Sequence, residues 1–529
     1  MISIILAFLK SKYDSVNNSL RANNLSLGHL KQYFSSNILN YRFAFCCVIV
    51  FFYILPFIIA NVPYKDDYQR LLNPHYYWYV DGRFVTNFLY KFFSLRFSQA
   101  TFAPWGLIVG SFALCASAFL FLRKFNVKSG LVSSIAIIYL FSSPFLLQPL
   151  SYHFDPLAML FAAVFCIWIF IVPGRNVFAV FFSVFILTFF CLLTYPTVIA
   201  AIPILALVEL IVFVKNDENP KDILKLLFTR FLAFFISVAA WYFTNYQNYK
   251  FVNKDIAHSE NVFAALLGKI QSIFGYIKGW HVYSDFVWIM LGVMFAIFCV
   301  VMFVFALKVF SKKTVWHRIC AGTIVLSPFI IFFMGLFGVN AVQNFAMNPR
   351  YFIPFSISLF ALMFLLLTFS SKKLRFIVLF LSIFPLIYSF GLVYSYGNAL
   401  RFNYESNRII AASLMSTINS DTALVTFKGS SQRAATLSSI FKAYPYVKRL
   451  LRADTFRDNN PQQNWLLLRH FGLNVKLQYT WSEEDKQKSK EALQNLNKAE
   501  LIAKHYYYNL LQYGGMYIID FDKTEFDKK

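Results

Sequence analysis

The chain has 529 residues, of which 58% are apolar and only 14% are charged, and its formal net charge is +24. A soluble domain carries a larger share of charged residues, and a disordered chain needs low hydrophobicity. The basic residues lie in short groups between long apolar runs rather than on a polar surface, which argues against nucleic-acid binding. The composition therefore predicts a polytopic membrane protein.

The apolar runs predict the membrane segments. A run of about 20 apolar residues is long enough to cross the hydrocarbon core of a bilayer. Eleven such runs occur, near residues 42–60, 102–122, 131–147, 156–172, 177–193, 198–214, 231–245, 286–307, 319–339, 351–370 and 375–395. Neighbouring runs at 156–172 and 177–193 are short, so the pattern predicts about eleven transmembrane helices, within a range of roughly ten to twelve.

Basic residues predict the orientation. With the N-terminus in the cytoplasm, the cytoplasmic segments hold 20 Lys and Arg against 4 acidic residues, whereas the opposite loops before residue 396 hold 10 against 7. Cytoplasmic loops of membrane proteins are enriched in Lys and Arg. We therefore expect a cytoplasmic N-terminal segment at 1–41, a transmembrane domain at 42–395, and a C-terminal domain at 396–529 on the outer face.

The tail, 396–529, has mixed charges and short apolar groups. Residues 421–427 and 516–521 have the β-branched and aromatic composition of strands, and helical stretches occur at 407–420, 433–444 and 483–498. Ser482 and Asp485 have the spacing of a helix start. The tail is therefore predicted to form a soluble α/β domain. All seven cysteines lie in or beside the spans, so neither a disulfide framework nor a CxxC metal site is expected.

The first outer loop, about 61–101, begins with a pair of acids, Asp66 and Asp67, close to the end of the first span. A partly desolvated carboxylate has a raised proton affinity, which suits a general base. The pair could instead hold a divalent cation through its oxygen atoms, or form a solvated charge pair with Lys65 or Arg70. The residue types alone leave these alternatives open.

The same loop continues with Asp81 and Arg83, followed by Phe84, Phe88 and Phe92 at helical spacing. This spacing predicts an amphipathic helix at the membrane surface, and a second such helix is expected in the outer loop 246–284. Asp81 and Arg83 could form a local ion pair and helix cap, or orient a sugar or the acid pair.

Two further outer loops carry polar residues at the ends of spans. His153 and Asp155 precede the span at 156–172. Polar residues beside a span are costly to bury, so both are candidates for substrate binding, although Asp155 could also serve only as a helix cap. Arg350 and Tyr351 begin the span at 351–370. Arg350 could bind a phosphate through its guanidinium fork, or extend along the membrane surface as an anchor.

Carboxylates and an arginine at one membrane face suit attack on a sugar that is carried by a lipid phosphate. A carboxylate would deprotonate the acceptor hydroxyl, and the arginine would stabilise the departing phosphate. The sequence has no GxxxxGK[ST] and no GxGxxG motif, so a nucleotide-sugar donor is not supported.

These residues carry a resemblance to a known family. Asp66-Asp67-Tyr68-Gln69-Arg70, Trp78-Tyr79-Val80-Asp81-Gly82-Arg83 and Asn348-Pro349-Arg350-Tyr351 resemble motifs of the GT-C superfamily of polytopic glycosyltransferases. Within it, the chain is most similar to the serotype-converting O-antigen glucosyltransferases, the Gtr type II-like family. The resemblance covers about 40–395, and the tail matches only in general type.

The resemblance implies an inner-membrane enzyme that moves glucose from undecaprenyl phosphate to lipopolysaccharide O-antigen on the periplasmic side. It implies Asp66 or Asp67 as the catalytic carboxylate and Arg350 as a phosphate contact. Arg70, Asp81 and Arg83 are weaker candidates for substrate binding. Two alternatives remain: a transferase that uses the same donor on lipid A or protein, and a transporter or flippase for lipid-linked sugars, although polar residues at the bilayer midplane expected of a transporter are scarce.

Overall fold

The computed structural model of the chain describes residues 41–72, 77–79, 81–95, 101–125, 127, 130–172, 176–245, 262–312, 314–338, 348–418, 423–431, 435–451, 456–458, 461–476 and 481–523. The predicted cytoplasmic segment 1–41 therefore lies outside the described residues, apart from its last residue.

Helices form most of the described chain. In order, they are α1 (Tyr41–Ala60), α2 (Asp66–Leu72), α3 (Phe84–Ser94), α4 (Trp105–Lys124), α5 (Gly130–Phe141), α6 (Leu147–Ser151), α7 (Pro156–Ile171), α8 (Val177–Thr194), α9 (Ala201–Lys215), α10 (Pro220–Asn245), α11 (Val262–Trp280), α12 (Asp285–Phe310), α13 (Val315–Phe337), α14 (Ile353–Phe369) and α15 (Lys372–Met415). Short 3₁₀ turns at Tyr77–Tyr79, Pro144–Leu146, Pro196–Ala200 and Pro349–Phe352 separate some of them.

Each of the eleven predicted apolar segments overlaps at least one helix within the described residues. Nine of the described helices are long and apolar enough to cross a bilayer. The segment predicted at 131–147 is broken between α5 and α6 by a bend of 54°, and α7 has only 16 residues. The chain is thus a polytopic helical membrane protein, with nine clear spans among the described residues and a tenth if the bent pair crosses as one span.

Close approach of the helix backbones depends on small residues. Gly397 of α15 lies against Pro56 of α1, and a Cβ added to Gly397 would stand 2.6 Å from the Pro56 Cβ and 2.9 Å from its carbonyl oxygen. Small residues at such crossings let membrane helices pack tightly. This contact holds α15 next to α1, and α1 leads directly into the loop that carries the acid pair.

An ion cluster is buried at the end of the bundle that is opposite to the acid pair. The carboxylate of Glu209, on α9, is fully buried and receives Lys124 Nζ at 2.9 Å and a guanidinium nitrogen of Arg230. Lys124 also donates to the carbonyl oxygen of Phe170 at 2.5 Å. The cluster ties α4, α7, α9 and α10 together.

The C-terminal region begins within helix α15. This helix has 44 residues and includes both the predicted span 375–395 and most of the predicted helix 407–420. The remaining elements are β1 (Leu424–Lys428), α16 (Ala435–Ala443), α17 (Pro445–Leu451), α18 (Pro461–His470), α19 (Glu483–Gln494), a 3₁₀ turn (Leu496–Lys498), β2 (Glu500–Lys504), β3 (Asn509–Tyr513) and β4 (Met516–Asp520).

The four strands form one sheet in the order β1-β4-β3-β2. Strands β1 and β4 are parallel, with Leu424 opposite Met516, and the other pairs are antiparallel. The β3–β4 hairpin turns at Gly514 and Gly515, whose φ angles of +54° and +79° suit glycine. The strands predicted at 421–427 and 516–521 are confirmed for the described residues, and Ser482 and Asp485 form the predicted helix start as a reciprocal capping box.

Helices α3 and α11 lie in the two outer loops where amphipathic helices were predicted. On α3, the side chains of Phe84, Phe88 and Phe92 are exposed, whereas Leu89 and Tyr90 are buried. Helix α11 occupies the described part of the loop predicted at 246–284. The exposed phenylalanines of α3 form an apolar face of the kind that lies in a membrane surface.

Candidate active site

Four connections between helices meet at one end of the bundle. They are the loop that contains α2 and α3, the turn before α7, the turn between α8 and α9, and the 3₁₀ turn Pro349–Phe352 before α14. These four connections contain all nine candidate residues of the sequence analysis: Asp66, Asp67, Arg70, Asp81, Arg83, His153, Asp155, Arg350 and Tyr351.

Asp66 and Arg350 are brought into direct contact. An Arg350 Nη1 atom donates to Asp66 Oδ2 at 3.0 Å and to the Tyr152 hydroxyl at 3.2 Å. The Asp66 side chain is 50% exposed, whereas the Arg350 side chain is 19% exposed. The backbone N–H of Arg350 donates to Gln148 Oε1 at 3.1 Å. Arg350 is therefore held firmly, while the carboxylate of Asp66 remains accessible to solvent.

Asp67 has a different environment from its neighbour. Its side chain is fully buried and accepts hydrogen bonds from the backbone N–H groups of Tyr64 at 3.0 Å, His153 at 2.8 Å and Phe154 at 3.3 Å. Burial raises the pKa of Asp67 to about 8, although these N–H groups and Arg70 act in the opposite direction. Asp67 thus joins the start of α2 to the turn before α7.

Arg70 and Asp155 form a buried ion pair near Asp67. The distance between Arg70 Nη1 and Asp155 Oδ2 is 2.8 Å, and Trp78 Nε1 donates to Asp155 Oδ1 at 2.9 Å. Burial opposes the ionisation of Asp155, but Arg70 and Arg83 outweigh it and lower its pKa. Asp155 precedes α7 without capping it through its side chain. The two oxygens of Asp155 are engaged by Arg70 and Trp78, so this ion pair connects α2 to the turn before α7.

Arg83 reaches a residue that the sequence analysis did not single out. Its guanidinium carbon lies 5.0 Å from the centre of the Tyr195 ring, and Arg83 begins α3 without capping it through its side chain. Asp81 lies in the turn before it, with Gly82 at a φ of +70°. Tyr195 is 1% exposed, and burial raises its pKa to about 12 even though Arg350 and Arg83 both lower it.

His153 is held near the acid pair through its backbone rather than its ring. Neither ring nitrogen has a hydrogen-bond partner in the described part of the chain, and both are shielded from solvent. Burial lowers the pKa of His153 to about 4, with a smaller contribution from His470. The imidazole is therefore neutral at physiological pH and can donate through one nitrogen and accept through the other. Tyr351 lies beside Arg350, with a distance of 5.7 Å from the guanidinium carbon to the ring centre.

The C-terminal region packs directly on the helix that carries the acid pair. The Tyr64 hydroxyl donates to the Leu450 carbonyl oxygen at 2.8 Å, and the rings of Tyr68 and His470 are 5.0 Å apart. The Tyr404 hydroxyl and His470 Nε2 form a hydrogen bond of 3.1 Å. The region that follows α15 thus fixes the position of α2 and its carboxylates.

In the described structure, the two acids of the pair have protein partners at the positions where a divalent cation was considered. The oxygens of Asp67 accept backbone N–H groups, and Asp66 is paired with Arg350. No group of three or more His, Cys, Asp or Glu side chains with metal-binding geometry occurs within the described ranges. Adjacent carboxylates that face different partners offer few protein ligands for Ca²⁺, whereas Mg²⁺ can be held by one or two carboxylates together with a substrate phosphate.

Comparison with known families identifies the chain. A family model described as Glucosyl transferase GtrII matches residues 55–360, which is more than half of the chain and contains all nine candidate residues. No curated protein and no solved structure matches the chain. The helical bundle and the family match together define a membrane-embedded glycosyltransferase. The chain belongs to the GtrII glucosyl transferase family, and the resemblance drawn from the sequence motifs is confirmed.

Proposed function

We propose that this protein transfers glucose from undecaprenyl-phosphate-glucose to lipopolysaccharide O-antigen at the periplasmic face of the bacterial inner membrane. The proposal also takes the N-terminus to be cytoplasmic, the helical part to have a GT-C-like architecture, and residues 396–529 to form a periplasmic domain. The observation that carries it is the ion pair between Asp66 and Arg350 at the ends of the spans.

Asp66 is the general base of the proposal. Its carboxylate is half exposed, so an acceptor hydroxyl can approach it from the water phase. The hydroxyl oxygen attacks the anomeric carbon of glucose, its proton passes to Asp66, and the bond between the anomeric carbon and the phosphate oxygen breaks. Asp67 is a positioning residue, because its buried oxygens face backbone N–H groups.

Arg350 is the phosphate-binding residue of the proposal. The leaving polyprenyl phosphate gains negative charge as the glycosidic bond breaks, and a fixed guanidinium at that position stabilises it. The same arginine contacts Asp66, and Tyr152 and Gln148 hold it in place. Arg350 thus contacts the proposed base and, in this proposal, also the phosphate of the leaving group.

The membrane setting supports a lipid-linked donor. Arg350 lies in the 3₁₀ turn that leads directly into the apolar helix α14, so a phosphate at Arg350 lies at the level where a candidate membrane span begins. Asp66 is on the water-facing side of the same ion pair. This geometry separates a membrane-bound donor from a water-soluble part of the acceptor.

The experiment that tests the function is glucose transfer by the purified full chain. The protein in detergent is given undecaprenyl-phosphate-glucose that carries a radiolabel, together with O-antigen polysaccharide, lipid A or a protein acceptor in separate reactions. The expected result is label in the O-antigen alone. Label in lipid A or protein would show that the acceptor is different from O-antigen. In a parallel reaction with the protein reconstituted in vesicles, movement of intact donor across the bilayer without transfer would favour the transporter alternative.

A further inference from the structure

Arg350 and three side chains around it each have a buried polar atom without a hydrogen-bond partner among the described residues. The four atoms are Nε of Arg350, Nε of Arg83, the hydroxyl oxygen of Tyr195 and Nε2 of Gln148. Buried polar groups in proteins are nearly always hydrogen-bonded, and each one left alone costs roughly 1–3 kcal/mol. A concentration of such atoms at one place therefore points to a ligand that satisfies them.

Contacts connect the four side chains. Gln148 Oε1 accepts the backbone N–H of Arg350 at 3.1 Å, and the Arg83 guanidinium lies over the Tyr195 ring. The 3₁₀ turn that follows Tyr195 packs against the 3₁₀ turn that contains Arg350. Tyr195 also lies within electrostatic reach of both arginines. Tyr195 and Gln148 are almost completely buried. The orientation of their polar groups is therefore fixed by the surrounding protein and not by contact with solvent.

All four atoms can act as hydrogen-bond donors. The two Nε atoms can only donate, and the phenol of Tyr195 keeps its proton. The amide of Gln148 is oriented by its contact with Arg350, because its oxygen takes the N–H of Arg350 and leaves its NH₂ group without a partner. Two of the donors belong to guanidinium groups, one of which also contacts Asp66. Such a set of donors suits a ligand that has several acceptor oxygens and negative charge, and a phosphate is such a ligand.

We infer that Tyr195 and Gln148 bind the phosphate of a polyprenyl-phosphate lipid, and that with Arg83 and Arg350 they form a phosphate cradle. The inference rests on the proposed function and adds two phosphate-binding residues to it. The hydroxyl of Tyr195 and the amide of Gln148 donate to oxygens of the phosphate, both in the donor and in the released product. The arginines neutralise its charge.

The test is binding of farnesyl phosphate, a short polyprenyl phosphate, to the purified full chain. Tyr195→Phe removes only the hydroxyl, and we expect about a 10-fold to 100-fold loss of affinity, which corresponds to one hydrogen bond to a charged group. Gln148→Glu keeps the oxygen that accepts from Arg350 but replaces the donor, so it is expected to weaken binding at least as much. Farnesol, which lacks the phosphate, should bind both variants as it binds the wild type.

Tyr446→Phe is the matched control. Tyr446 is also fully buried and its hydroxyl also has no partner in the described structure, but it lies on α17 outside the cradle. This variant should bind farnesyl phosphate with unchanged affinity. Unchanged binding by Tyr195→Phe, or an equal loss for farnesol, would overturn the cradle. Displacement of farnesyl phosphate by phosphatidylglycerol at equal concentration would also overturn it, because the site would then belong to membrane phospholipid.

This measurement is independent of glucose transfer. If the protein binds farnesyl phosphate through Tyr195 but transfers no glucose to any acceptor, the proposed function fails and the cradle remains. If glucose is transferred and Tyr195→Phe binds the phosphate normally, the cradle alone is wrong.

Discussion

Asp66 and Arg350 are separated by 284 positions in the chain, and their side chains form an ion pair of 3.0 Å at one end of the helical bundle. Arg350 also contacts Tyr152, whereas the neighbouring Asp67 is enclosed by backbone N–H groups. The two adjacent acids therefore have different surroundings. Asp66 is exposed to solvent beside Arg350, and Asp67 connects two loops through its hydrogen bonds.

The environment of Asp67 predicts a pH-dependent stability. Its pKa is about 8 in the folded chain against an ordinary value of 3.8, so the folded state holds this proton more tightly than the unfolded state. The contribution of this group to stability is complete below about pH 4 and is lost as the pH rises to about 8, by at most about 1.4 kcal/mol per pH unit.

Thermal unfolding of the wild type and Asp67→Asn in detergent, between pH 5 and 8, measures this effect. The difference in Tm, wild type minus variant, should fall as the pH rises. His153, whose pKa is about 4, acts in the opposite direction in both proteins and cancels in the difference. A difference that is constant with pH would contradict the raised pKa of Asp67.

Chelation of divalent cations should leave glucose transfer unchanged. The carboxylates of Asp66 and Asp67 are engaged by Arg350 and by backbone N–H groups, and the described residues supply no set of three metal ligands around them. The measurement is the transfer rate with EDTA and with added Mg²⁺ or Mn²⁺. A loss of more than about tenfold with EDTA that Mg²⁺ or Mn²⁺ restores would show that the acid pair binds a cation in the working enzyme.

The buried carboxylate of Glu209 should matter for folding. Glu209→Gln leaves Lys124 and Arg230 as neighbouring buried cations without their counter-ion, and removal of one partner from such a cluster costs about 3–5 kcal/mol. The exposed pair of Asp217 and Lys312 offers the control, since Asp217→Asn should change stability little. Equal Tm values for the two variants would show that the Glu209 cluster does not stabilise the bundle.

The crossing of α1 and α15 should not tolerate an added methyl group. Gly397→Ala places a Cβ closer than 3 Å to the Pro56 backbone, and overpacking of this kind costs roughly 1–3 kcal/mol. Gly322→Ala on α13 is the matched control, because nothing lies within 4 Å of its added Cβ. We expect Gly397→Ala to lower the Tm and Gly322→Ala to leave it unchanged or slightly higher. The opposite order would contradict the close crossing.

Much of the fold follows from local patterns in the sequence. Apolar runs located the nine clear spans among the described residues, because a bilayer requires continuous apolar helices. Composition also located β1 and β4. The continuous helix α15 was not predicted, because the change from apolar to mixed composition near residue 396 marks a change of surroundings and not a change of backbone conformation.

The candidate site was predicted less completely. Polar residues at span ends pointed to Asp66, Asp67 and Arg350, but the pairing of Asp66 with Arg350 joins distant parts of the chain and leaves no local pattern. The different tasks of Asp66 and Asp67 follow from their places on α2, where consecutive residues point about 100° apart. Tyr195 and Gln148 were missed because each lies in an apolar stretch, and only their unpartnered polar atoms single them out.

The central claim is that the carboxylate of Asp66, paired with Arg350, is the base in glucose transfer. The most direct measurement is the rate of glucose transfer from undecaprenyl-phosphate-glucose by purified Asp66→Asn, a nearly isosteric change at an exposed position. General-base catalysis contributes about 10²–10⁴-fold, so the variant should lose at least about 100-fold in kcat while keeping the Tm of the wild type. Transfer by Asp66→Asn at the rate of the wild type would contradict the account.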